Sequence, residues 1–265
     1  MSPRIPAFTG LLFFTVVAGT LSAQDVEFNP LGRDLPIAEM EKQIRIEVEW
    51  IEVDSATATK LLAAQKPVKD TRYLSADSGP LRKTLQEMID KGEATLVDSA
   101  MVSARSGQRA KVESIHEFIY ATEYDPASLQ LPDKANGTKT ILVPPQATAF
   151  ETRNVGVTLE VDPVLGVDDL TIDLNLAPEL VYLTGMETWG THRGEGVEVE
   201  VKMPSFYTVK TTTQITLIAG ETYLMSTQTP RNLETGMTDP ARKILNFVRA
   251  DLVVSGLPAA ETKEP

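Results

Sequence analysis

Any chemistry in this chain would have to come from two histidines and a few clustered carboxylates. The 265 residues include no cysteine, which removes thiol nucleophiles, thiolate metal sites and disulfides. His116 lies between Ile115 and Glu117 in an alternating stretch. No base and orienting group are visible around it, so a surface strand position is expected rather than a catalytic one. His192 sits in WGTHRGEG with Glu187 and Glu195 nearby. One imidazole without fixed ligand spacing makes a poor metal site, and a solvated loop is expected. Asp162, Asp168, Asp169 and Asp173 cluster without the D-x-[DN]-x-[DN]-G spacing of a calcium loop. Turn formation accounts for Asp168 and Asp169. Gly194 and Gly196 form a G-x-G without strand-to-helix context, so no nucleotide site follows. Asn136-Gly137-Thr138 is a formal glycosylation sequon that also reads as a turn. The expectation is a non-enzymatic protein with no cofactor and no metal.

The elements that would position any site are mostly strands. Glu151 to Pro178 is the clearest stretch. Val155, Val157, Leu159 and Val161 alternate with polar residues, DPVLGVDD turns the chain, and Leu170, Ile172, Leu174 and Leu176 alternate again. Period-2 alternation on both sides of a turn predicts an antiparallel hairpin with one apolar face. Gln43 to Val53 is another strand. Its apolar phase slips between Trp50 and Ile51, which predicts a bulge there. Asp54-Ser55 caps a helix over Ala56 to Gln65. A second helix over Pro80 to Lys91 carries Leu81, Leu85, Met88 and Ile89 on one stripe, with Gly92 ending it.

β structure then takes over. Strands are expected over Thr95 to Ala104, Arg109 to Tyr120, Val197 to Met203, Phe206 to Ile218, Thr222 to Gln228 and Ile244 to Val254. Tyr120 to Phe150 reads as a long loop with one short hairpin at Asn136-Gly137. Gly185 to Gly196 reads as a Gly/charged loop. The fold class is therefore α+β and β-rich, with antiparallel hairpins and two short helices near the N-terminus.

The ends read differently from the middle. Residues 1–23 have a basic start at Arg4, the apolar run Ala7 to Ala18 and a small-residue finish, the pattern of a cleaved secretory signal peptide. Residues 24–42 form a polar lead, 43–255 one β-rich domain, and 256–265 a polar, disordered tail. The net charge of −12 disfavours nucleic acid as a partner.

Three segments, taken in order, resemble the secretin domain of the ring-forming outer-membrane channels of type II and III secretion and type IV pilus systems. QIRIEVEWIEVD (Gln43 to Asp54) is similar to the family's opening strand. Leu85 to Val112 is similar to its helix, strand and glycine turn, here RSGQRAKV. NVGVTLEVDPVLGVDDLTIDLNLAPEL is similar to its V-G-x-x-L-x-V-x-P hairpin. TTTQITLIAGETYLM (Thr211 to Met225) then looks like its T-x-V-x-V-x-x-G-x-T strand and turn. The motif positions are Gly107, Val155, Gly156, Pro163, Gly220 and Glu221, given structural roles. The resemblance implies a short form without the usual N-terminal domains, exported to the periplasm or outer membrane of a Gram-negative-type bacterium. It also implies a secretin-like sheet, a homo-oligomer or a partnership with other secretion or pilus proteins, outer-membrane association and a part in protein secretion. The alternating runs carry apolar faces of about four residues, short of the ~9–11 of a membrane-barrel strand. The alternative is therefore a soluble periplasmic or surface β module that forms no pore, with a ligand groove near Leu180 to Gly196.

Overall fold

The computed structural model describes residues 40–65, 75–131, 141–194 and 197–254. The expected signal peptide, most of the expected lead, the expected Asn136-Gly137 turn, Glu195, Gly196 and the expected tail lie outside these residues. Two antiparallel sheets pack face to face. The first has the order β10-β11-β1-β2. β1 (Lys42–Asp54) is central, paired with β11 (Arg242–Val254) on one side and β2 (Ala94–Arg105) on the other. β10 (Thr222–Gln228) completes it.

The phase slip in β1 organises the packing. Ile44, Ile46, Val48 and Trp50 are fully buried against the second sheet, in one core with Leu159, Leu174 and Val248. The register with β2 shifts between Trp50 and Ile51, at the predicted place, but the extra residue is Val97 of β2, and β1 keeps unbroken alternation and register with β11. Beyond it, Ile51 and Val53 face the other way and join Phe247, Leu81 and Leu85 in a second core under the helices. α1 (Ser55–Ala63) starts at Asp54, whose carboxylate accepts the Thr57 amide at 2.9 Å. α2 (Gly79–Asp90) has Pro80 in its first turn, and Gly92 follows it with φ 76°.

The second sheet is built on two very long strands. β3 (Ala110–Asp125), β6 (Gln146–Leu165), β7 (Thr171–Gly194) and β8 (Val197–Lys210) lie in that order, and β9 (Thr213–Ile218) continues the β8 side of β7. β4 (Ser128–Gln130) and β5 (Ile141–Val143) form a small separate pair. The core hairpin pairs Gly156–Leu165 of β6 with Ile172–Val181 of β7. Val157, Leu159, Val161, Ile172, Leu174 and Leu176 are buried, as their alternation requires, and Leu180 and Val181 are buried with them.

Two sequence expectations are corrected. Tyr120 to Phe150 is not a plain long loop, because β3 continues to Asp125 and pairs residue by residue with the first half of β6. Register shifts near Ala121 and Glu123 break the side-chain alternation there. Gly185 to Gly196 is not a loop up to Gly194: β7 runs through it, paired with β8 as far as Val197. Shifts at Leu183/Gly185 and Thr188/Gly190 place both glycines at irregular points, where a missing side chain is tolerated. β8 also passes through Pro204, opposite Met186. Beyond the sandwich, then, β3–β6 and β7–β8 continue as two projecting arms.

Candidate functional site

The motif positions gather into turns at one end of the sandwich. Gly107, with φ 72°, donates its amide to the Pro163 carbonyl at 2.8 Å, so two separate motifs meet. Ser106 Oγ accepts the Leu165 amide at 2.9 Å. Gly220, with φ 86°, donates to Ala250 at 2.7 Å, while Ala219 donates to Leu170 at 2.9 Å. Glu221 accepts the Tyr223 hydroxyl at 2.9 Å, and that hydroxyl accepts the Ile218 amide. These contacts tie the β2–β3, β6–β7 and β9–β10 turns together and link the two sheets. Val155 and Gly156 lie apart from them, opposite His116 and Ile115 of β3. Gly156 has φ 127°, and a Cβ there would sit 2.2 Å from the Ser114 carbonyl oxygen. Only glycine lets the two backbones approach so closely.

The carboxylates of the turn have separate partners. Asp168 accepts the Thr171 hydroxyl at 2.5 Å together with the Thr171 and Leu170 amides, and these bonds pull its carboxyl down to about 2. Asp169 is paired with Lys42, and Asp173 accepts the Thr216 hydroxyl. His116 is on β3 with its ring edge-on to Phe118, and His192 is on β7 opposite Val199, not in a loop. Among the described residues no group of three or more His, Asp or Glu is placed to hold a metal ion.

What the sheets offer is edges and one cleft. β3 and β8 bound the second sheet and have no strand on their outer sides among the described residues. Phe118 and Tyr120 of the first arm meet Phe206 of β8, ring centres 6.1 and 5.8 Å apart. Arg153 reaches from β6 to Glu179 and to the Thr208 hydroxyl, each at 3.2 Å. In the first sheet the β10 edge is covered: Ser78 donates its amide to Thr222 at 2.6 Å and its Oγ accepts the Leu224 amide at 3.2 Å. The β2 edge has no strand on its outer side among the described residues.

The cleft lies beside the bulge. Past Trp50 the residue facing the second sheet is Glu52, ion-paired with Arg242. The sheets part there around a space of about 550 Å³, walled by Tyr182, Tyr207, Val97 and the 230–240 loop. Tyr182 and Tyr207 stack at 5.8 Å with 11° between their planes. Burial, with the charge of Asp98 next, pushes the Tyr182 hydroxyl up to about 12. The sequence reading missed this site, apart from placing a groove near Leu180. Its walls come from five strands and a loop, and the one local signal was the Trp50/Ile51 slip.

No family model matches the chain, and no curated protein matches it. In structure it is similar to the type II secretin GspD of enteropathogenic Escherichia coli, at 12% identity and TM-score 0.41 over 82% of this chain and 70% of that one. It is similar to the ETEC secretin GspD, solved with the pilotin AspS, at 11% identity and TM-score 0.44 over 82% and 50%. It is also similar to the type IV competence pilus secretin PilQ of V. cholerae, at 14% identity and TM-score 0.38 over 84% and 62%. The chain spans half to 70% of the length of these structures.

Proposed function

We propose that this chain is an exported, secretin-like component of a bacterial type II/III secretion or type IV pilus-type envelope assembly, acting without enzymatic chemistry as a homo-oligomer. The observation that carries the reading is the pair of open edges on one sheet. β3 and β8 bound the order β3-β6-β7-β8, and neighbouring strands in it are antiparallel. β8 of one copy therefore has the direction needed to pair antiparallel with β3 of the next, extending the sheet by four strands per copy. Such a head-to-tail contact closes into a ring when its rotation divides the circle. Unpaired strand edges of 16 and 14 residues favour this pairing. The ordered sequence motifs supply the family.

The test is the mass of the mature chain, measured in buffer and in detergent, with fractionation of the cell envelope. A ring-sized species with envelope association supports the reading. A strict monomer in both media, found outside the membrane fraction, defeats it. The second reading, a soluble module that forms no pore, is favoured by the Tyr182/Tyr207 cleft, a feature that needs no neighbouring copy.

A further inference from the structure

The first sheet carries a docking surface separate from the β3 and β8 edges. Its two edges are treated differently: β10 is capped by Ser78, while β2 has no strand on its outer side among the described residues. Natural edge strands are guarded by lysine, proline, shortness or a covering element. The open part of β2, from Asp98 to Arg105, reads DSAMVSAR. It has no proline and no lysine, its register with β1 is regular once past the shift at Val97, and Met101 is 55% exposed. Backbone donors and acceptors along such an edge are a template for an added strand.

The start of the same strand forms a wall of the Tyr182/Tyr207 cleft, through Thr95, Leu96 and Val97. A segment laid along β2 therefore runs toward the cleft. Leu96 and Leu233 flank it at 40% and 45% exposure. Its volume is within the range of ligand sites, about 300–1,000 Å³.

Charge selects the occupant. Arg242 is paired with Glu52, and Arg231, whose backbone amide and charge reach the Tyr207 hydroxyl, donates its guanidinium to the Gly236 carbonyl at 3.2 Å. Glu234 and Asp239 line the cleft, and Asp98 lies close enough to raise the Tyr182 hydroxyl. On the other face of the sheet Glu47 stands opposite Met101 of β2, while Glu49, opposite Ser99, is ion-paired with Arg82. Carboxylates thus border the cleft end of the edge, and tyrosine rings attract cations. A second copy of this chain, at −12, is a poor match for that field.

We infer that the β2 edge takes an extended, basic segment of a partner protein as an added strand, with a lysine or arginine side chain seated on the Tyr182/Tyr207 pair. The test uses the mature chain and the labelled peptide acetyl-TVKVRVKVT-amide, followed by fluorescence anisotropy. Its controls are acetyl-TVEVEVEVT-amide and the basic peptide N-methylated at alternate residues. The expected result is binding of the basic peptide at least about tenfold tighter than either control, a ratio worth about 1.4 kcal/mol. Asp98→Lys and Tyr207→Leu each weaken it by a similar factor, with the sheet signal in circular dichroism unchanged. The peptide controls leave the protein intact, so they decide the matter even if a variant fails to fold. Equal binding of the three peptides, or no binding of the basic one at about 1 mM, where the free energy is only about −4 kcal/mol, overturns the inference.

Discussion

Gly156 shows how one residue can hold a geometry that its neighbours could not. Its φ of 127° and the 2.2 Å that would separate a Cβ from Ser114 O leave no room for a side chain. Gly156→Ala must distort the β3–β6 pairing, and backbone strain of this kind costs about 1–3 kcal/mol before any clash is counted. Urea unfolding should show a loss of at least that size, whereas Gly190→Ala, whose Cβ would meet only His192 Nε2 at an ordinary 3.9 Å, should cost far less. Asp168 gives a second residue-scale prediction. Its folded value of about 2 lies below the ordinary 3.8, because the Thr171 hydroxyl and nearby amides bond the charged form. The support it gives the β6–β7 turn is therefore complete above pH 3.8 and is lost as the pH falls through about 2. Carbon-detected NMR titration should place its midpoint near 2, and Thr171→Val should raise it. A midpoint at the ordinary value would contradict the hydrogen bonds described.

Elements decide what packs where, and most of them were legible in the sequence. Period-2 alternation located β1 and the core hairpin of β6 and β7, and the apolar slip located the place of the bulge, between Trp50 and Ile51, though the extra residue is on β2. The α2 stripe identified Leu81 and Leu85 as its buried contacts. Outside the sandwich the same signal failed. Residues 183–194 and 120–130 have little buried surface to impose alternation, and their register shifts break what remains. Glycines and prolines there look like loop punctuation although the chain stays extended. The cleft was beyond reach for a different reason, since Tyr182, Tyr207, Glu52 and Arg242 are far apart in sequence. The anchoring of α2 to the sheet is testable. Leu85 is fully buried, so Leu85→Ala should cost about 2–5 kcal/mol. Arg82 donates two bonds to Glu49, at 2.5 and 2.7 Å, in a half-buried site. Its replacement by alanine should cost about 1.5–3 kcal/mol, the range for bonds to charged groups. Denaturant midpoints of the two variants check both values.

At the scale of the whole molecule, the sandwich is a mount for two arms and two open edges. Turns at one end lock the sheets together, while β3–β6 and β7–β8 extend past the other. Each copy carries −12, so copies repel one another through solvent, and added salt should promote assembly by screening that repulsion. Pairing of β8 with the next copy's β3 is the central claim, and the mass of the purified mature chain in detergent at moderate salt tests it most directly. Assembly through that contact gives a discrete, large, ring-sized species. A single monomeric mass across salt and detergent conditions would contradict it.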